Sequence, residues 1–154
     1  MKKNIAILLP YKEKYNLNKA GAASIWVKDY LSISKLKSQT LIFGNLDKKD
    51  KPLTKNFVNI DLSKAYIRKN IQYTKHLYDY HLKNKFNIIE IHNRPESLLY
   101  LIKKKISSKL IFMFHNNPQD MRSSKSINDR MFIAENTDQI YFVSRWVKDK
   151  FFEG

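Results

Sequence analysis

The sequence predicts an α/β fold, a doubly wound parallel sheet with helices on both faces, formed as one domain over residues 1–154. Two observations predict it. Short apolar runs of β type alternate with longer runs of helical spacing, and strands separated by helices pair in parallel through right-handed crossovers. The opening run, Ile5 to Leu9, is apolar without alternation, as expected of a strand covered on both faces. A chain of 154 residues is also long enough to enclose a proper core.

The elements follow in order. Pro10 closes the first strand. Ala23 to Leu36 has helical spacing, with Val27 and Leu31 on one face and Trp26 and Tyr30 beside them. Thr40 to Phe43 is a second strand, closed by Gly44-Asn45, and the lysine-rich stretch Asp47 to Lys55 is a loop. Phe57 to Ile60 is a short third strand. Ser63 to Lys83 is the longest helix; Ile67, Ile71, Tyr78 and Leu82 mark its apolar face, and Asp61 or Ser63 caps its start. Tyr66, Tyr73, Tyr78 and Tyr80 on that helix serve packing and amphipathic surface. Asn87 to Ile91 is a fourth strand ending in His92, and Pro95 to Lys105 a helix with proline near its first position. Lys109 to Phe114 is a fifth strand ending in His115, Ile127 to Asn136 a helix, and Gln139 to Val143 a sixth strand. Ser144 caps a last helix to Phe152, with Gly154 where a helix C-terminus favours glycine.

Composition narrows the function classes. Hydrophobic residues make up 43% and charged residues 28%, which indicates a globular chain. Without cysteine there are no disulfides and no thiolate metal sites. The first apolar run is too short for a secretory leader and no stretch is long enough to span a bilayer, which places the protein in the cytoplasm. The formal charge is +15, an attraction for phosphates in nucleic acids, anionic membranes or phosphorylated substrates. Lysines supply 24 of the 29 basic residues, so solvated surface accounts for the charge equally well.

Open α/β sheets bind ligands beyond the C-terminal ends of their strands, at the switch point of the strand order. This singles out the loops after the first, fourth, fifth and sixth strands. In the first, Ala20-Gly21-Ala22-Ala23-Ser24 leads into a helix whose N–H groups and dipole suit a phosphate or a sugar hydroxyl, although by itself the stretch reads first as a plain turn before a helix. It matches neither G-x-G-x-x-G nor a P-loop. In the fourth, Glu90 and His92 share a strand face, so a half-buried Glu90 needs a partner. Arg94 grips phosphate or carboxylate in two-pronged fashion, or pairs with Glu96 or Glu90 as a structural salt bridge. In the fifth, His115 follows a very apolar strand that holds it in place for a sugar hydroxyl or a phosphate. His76 and His81 are five apart on the long helix, wrong for one metal, and read as surface or packing residues. His92 and His115 lack further ligands for zinc, so no metal site is expected.

In order and spacing these pieces resemble the N-terminal domain of retaining glycosyltransferases of the GT-B fold, the group that includes phosphatidylinositol mannosyltransferases and many lipopolysaccharide and capsule transferases. The matching pieces are Ile5-Ala6-Ile7-Leu8-Leu9-Pro10, Gly21 before Ile25-Trp26-Val27, and Ile89 to Glu96. Phe114-His115-Asn116-Asn117-Pro118, Val143-Ser144-Arg145-Trp146 and Phe151-Phe152-Glu153-Gly154 complete them. The resemblance implies a Rossmann-like acceptor-side domain working without a metal or cofactor. It implies His115 as the catalytic residue near the transferred sugar. Substrate binding would fall to Gly21 and Ala22, to His92, Asn93, Arg94 and Glu96, and to Asn116 and Ser144. The donor, a sugar nucleotide, would be held mainly by a C-terminal domain or partner chain that these residues do not include, so this chain alone would be inactive. The acceptor would be a glycan or a lipid-linked group, with peripheral contact to an anionic membrane. The alternative is a non-catalytic basic α/β module that binds a polyanion, nucleic acid or membrane, through its lysines.

Overall fold

A computed structural model describes residues 3–64 and 67–154. Its strands are β1 (Ile5–Leu8), β2 (Thr40–Gly44), β3 (Phe57–Asn59), β4 (Ile88–His92), β5 (Lys109–Phe114) and β6 (Gln139–Phe142). They form one sheet in the order β3-β2-β1-β4-β5-β6, every pair parallel. The helices are α1 (Ala22–Ile33), α2 (Lys69–Asn84), α3 (Pro95–Lys103), α4 (Ile127–Glu135) and α5 (Arg145–Phe152). The doubly wound parallel α/β fold expected from the sequence is the observed one.

The two sides of the sheet are covered unequally. On one side Ile7, Leu9 and Ile42 pack against Ala23, Val27 and Leu31 of α1. On the other, Ala6, Leu8, Phe43, Ile89, Ile91, Leu110, Phe112 and Phe114 meet residues from α2, α3, α4 and α5. In β1 and β2 alternate residues feed the two cores, as the two-residue period of a strand requires, whereas β4, β5 and β6 feed only the second. At β6 the side shared with α1 stays open: Tyr141 is 47% and Val143 44% exposed.

The longest helix differs from its expected form. It begins at Lys69, six residues after Ser63, because Arg68 takes a left-handed conformation (φ 48°) that a helix cannot contain. Asp61 caps no helix; its carboxylate accepts the Ser63 N–H at 2.8 Å and closes a local turn. Tyr66 lies outside the described residues. Of the apolar face read from the sequence, Ile67 and Leu82 are exposed, at 72% and 46%, while Ile71 and Tyr78 are half-buried. The buried face runs instead through Asn70, Tyr73, Thr74, Leu77 and His81. Its polar members are satisfied at the contact with α3: Thr74 Oγ1 is 2.8 Å from Ser97 Oγ, which donates to Asn70 Oδ1 at 3.1 Å. The Tyr73 hydroxyl points to the Leu9 and Phe43 carbonyls, 2.9 and 3.2 Å away, and ties α2 to the ends of β1 and β2. His81 is a packing residue, stacked on Phe86 and accepting its N–H at 3.2 Å, while His76 is exposed.

α4 carries an unexpected structural residue. Arg130 is 2% exposed and makes no ion pair among the described residues. Its guanidinium donates instead to carbonyls of Ser124, Lys125, Phe151 and Glu153. It thereby caps the end of α5, where carbonyls lack helical partners. Shortening it strands several buried acceptors, each costing about 1–3 kcal/mol. Arg130→Met should therefore lower unfolding stability by about 3 kcal/mol, read from urea denaturation, while a surface control such as Lys148→Met should change it little.

Candidate functional site

The strand order reverses between β1 and β4, and the loops that follow these strands meet there. Tyr11, just beyond β1, lies under the Arg94 guanidinium, 5.7 Å from ring centroid to carbon. With the loop after β5 they enclose a cavity of about 340 Å³, lined by Tyr11, Asn93, Arg94, Glu96, Asn116 and Arg122 among others.

Asn93 builds the crevice from behind. It is buried and adopts φ 56°, a left-handed conformation that asparagine tolerates well. Its side-chain oxygen accepts the N–H groups of His115 and Asn116, both at 3.3 Å, and so joins the two loops. Arg94 pairs with neither Glu90 nor Glu96. It donates from Nη1 to the Asn93 carbonyl at 3.0 Å, and its buried Nε has no hydrogen-bond partner among the described residues. Glu96 is held elsewhere, 3.3 Å from Arg122 and 3.2 Å from the Asn70 amide.

Beside the cavity lies a line of titratable groups. Glu90 Oε1 is 2.6 Å from His92 Nε2, and His92 Nδ1 is 2.8 Å from His115 Nε2. Glu90 thus has the partner its position demands. The Trp26 ring covers both imidazoles, with centroids 5.5 Å from His92 and 6.1 Å from His115. His92 is wholly buried, with both ring nitrogens engaged, while His115 is half-buried and adjoins Asn116 at the cavity. Burial, and after it the neighbouring His92, pushes the His115 imidazole down from 6.5 to about 4. Among the described residues no group of three or more metal-ligating side chains has the geometry of a metal site.

The remaining residues singled out from the sequence do not line this cavity. Gly21 and Ala22 open α1, but the Glu13 carboxylate occupies that helix end, accepting the Ser24 N–H at 3.0 Å and facing its hydroxyl at 3.2 Å. A Cβ on Gly21 would stand 2.3 Å from Glu13 Cδ, so the glycine makes room for this upstream cap. Ser144 lies beyond β6, where its hydroxyl accepts the Val147 N–H at 3.2 Å and caps α5. Sequence reasoning missed Glu13 and the roles of Tyr11, Trp26 and Arg122 at this end of the sheet. No local pattern marks a cap eleven residues upstream, and Trp26 reads as an ordinary helix-face residue.

No protein-family model matches the chain, and no curated protein matches it in sequence. Among solved structures it is similar to a sucrose-phosphate synthase from Thermosynechococcus elongatus, with a TM-score of 0.61 and 14% identity, over 88% of this chain and 41% of that one. The chain therefore spans less than half the length of that neighbour. The likeness shows a shared fold. No helix among the described residues is long and apolar enough to cross a membrane.

Two outcomes follow from these contacts. Because the folded value of His115 lies below its unfolded one, the fold favours the neutral ring. The stability this carries is present above about pH 6.5 and drains away as pH falls toward 4. His115→Gln should flatten that part of the stability–pH curve, measured as denaturation midpoints across the range. Glu13→Ala removes the cap of α1 and should cost about 1 kcal/mol in the same assay.

Proposed function

We propose that this chain is the acceptor-side domain of a metal-independent, retaining glycosyltransferase that transfers a hexose from a sugar nucleotide to a glycan or lipid-linked acceptor. The observation that carries the reading is the crevice at the β1–β4 switch point. There a guanidinium whose buried Nε has no partner among the described residues lines a polar cavity, and a neutral, half-buried imidazole follows β5 immediately before Asn116 of that lining. An arginine of this kind suits a phosphate or carboxylate on the ligand, and the imidazole suits a sugar hydroxyl. The shared fold with a sucrose-phosphate synthase supports the sugar-transferring class.

In this reading His115 is the catalytic residue and Arg94 binds an anionic group of the acceptor. Asn116 offers its amide to the same ligand, and Asn93 and Glu96 hold the walls. The sugar nucleotide is bound mainly by a second domain or a partner chain, and transfer requires both halves. The acceptor's membrane end accounts for part of the positive charge, through a peripheral contact with anionic lipid at the cytoplasmic face.

A second reading rests on a different hollow. At the N-terminal ends of the strands a cavity of about 980 Å³ is lined by Lys3, Lys35, Lys37, Lys51 and Lys55, with no carboxylate in its lining. This favours a module that binds a polyanion by charge. Titration with a hexose 6-phosphate, followed by amide NMR shifts, separates the two. The acceptor-domain reading expects shifts around Asn93, Arg94 and Asn116, an affinity about ten-fold weaker in Arg94→Ala, and modest sensitivity to salt. Binding that collapses between low and moderate salt while ignoring both Arg94→Ala and His115→Ala would overturn it in favour of the polyanion module.

A further inference from the structure

We propose that Glu90 and His92 are positioning residues that order the protons at His115, so that its Nδ1 is left as a bare acceptor for a ligand hydroxyl. The inference rests on the reading of this crevice as a sugar site, and it decides which part of the sugar His115 meets.

The ordering follows from the inventory of donors and acceptors. An ionised carboxylate can only accept, so the 2.6 Å contact from Glu90 Oε1 makes His92 Nε2 a donor. If that is the one ring proton of His92, its Nδ1 carries a lone pair. That lone pair must accept the 2.8 Å hydrogen bond from His115, so the proton of His115 sits on Nε2. A neutral His115 is left with a lone pair on Nδ1, which has no hydrogen-bond partner among the described residues. Burial keeps this ring neutral near pH 7.

Two features make the order rigid. The His92 side chain is wholly buried, and the Glu90 side chain is 14% exposed, so water is a poor substitute for either partner. The Trp26 ring lies tilted to His92 and edge-on to His115, which restrains both rings from turning over. The consequence is selective. A lone pair repels the oxygens of a phosphate but accepts from a hydroxyl, so the anionic group of a ligand belongs at Arg94 and a neutral hydroxyl at His115. Glu90 touches no ligand in this arrangement; it acts two rings away.

The test reads protons directly on the ligand-free chain, so it stands apart from the sugar-phosphate titration. Long-range proton–nitrogen NMR on histidine-labelled protein at pH 7.5 should show His92 and His115 each protonated at Nε2 alone. Glu90→Leu should move a large share of the His115 population to the Nδ1–H form while the amide spectrum stays folded. Glu90→Asp, which restores an acceptor, should recover part of the original state. Should the leucine variant lose its fold, Glu90→Gln serves as the second probe. Its amide can donate as well as accept, so it should leave His115 in a mixture of the two forms. A wild-type His115 protonated at Nδ1, or an unaltered His115 in every folded Glu90 variant, would overturn the proposal. If the order holds but no sugar phosphate binds, the relay stands and the acceptor-domain reading fails alone.

Discussion

The parallel pairing of β1 with β4 is the constraint on which the functional end of the molecule depends. These strands are distant in sequence, yet Ile5 to Leu8 align with Ile88 to Ile91 at the centre of the sheet. The chain leaves β1 toward β2 and leaves β4 toward β5, so the two following loops part in opposite directions. A crevice opens where they separate. Tyr11, Asn93, Arg94, His115 and Asn116 all follow closely on the ends of β1, β4 and β5. The sheet can hold them firmly because large buried side chains pack against its α2–α5 side, among them Phe43, Phe112 and Phe114.

Polar contacts of two kinds complete the scaffold. One kind is hidden in helix packing, where Thr74, Ser97 and Asn70 satisfy one another between α2 and α3. This small network continues through Asn70 to Glu96, and from Glu96 to Arg122 at the cavity wall. The second kind stitches loops to strand ends, as Asn93 does for β4 and β5. Both leave the Arg94 guanidinium less occupied than its neighbours, stacked on Tyr11 with its carboxylate neighbours committed elsewhere.

Much of the fold was legible because strands covered on both sides are simple. Six apolar runs mark six strands, and all six are marked to within one residue at each end. Short helices with plain signals were legible too, such as Pro95 opening α3 and Ser144 capping α5. The long α2 was misjudged because its buried face is half polar: hydropathy cannot reveal Asn70 and Thr74 as interior when their partners lie on another helix. Arg130 was passed over for the same reason, since its acceptors are main-chain carbonyls that carry no residue signature. At the site, Glu90 and His92 were placed on one face by the period of the strand alone. That Glu90, His92 and His115 lie in one hydrogen-bonded line depends on ring orientation, which spacing does not encode.

The carboxylate of Glu13 gives α1 a tethered occupant. Its helix end is a natural anion receptor, but here the receptor already holds an anion carried on the same chain. A phosphate approaching from solution competes with a group present at the effective concentration of a short linker, in the millimolar range or above. Capture of a free anion at that end therefore requires the segment following β1 to let go. Tyr11 lies on the same stretch of chain, beneath Arg94, so release at α1 and reshaping of the crevice would be one movement rather than two.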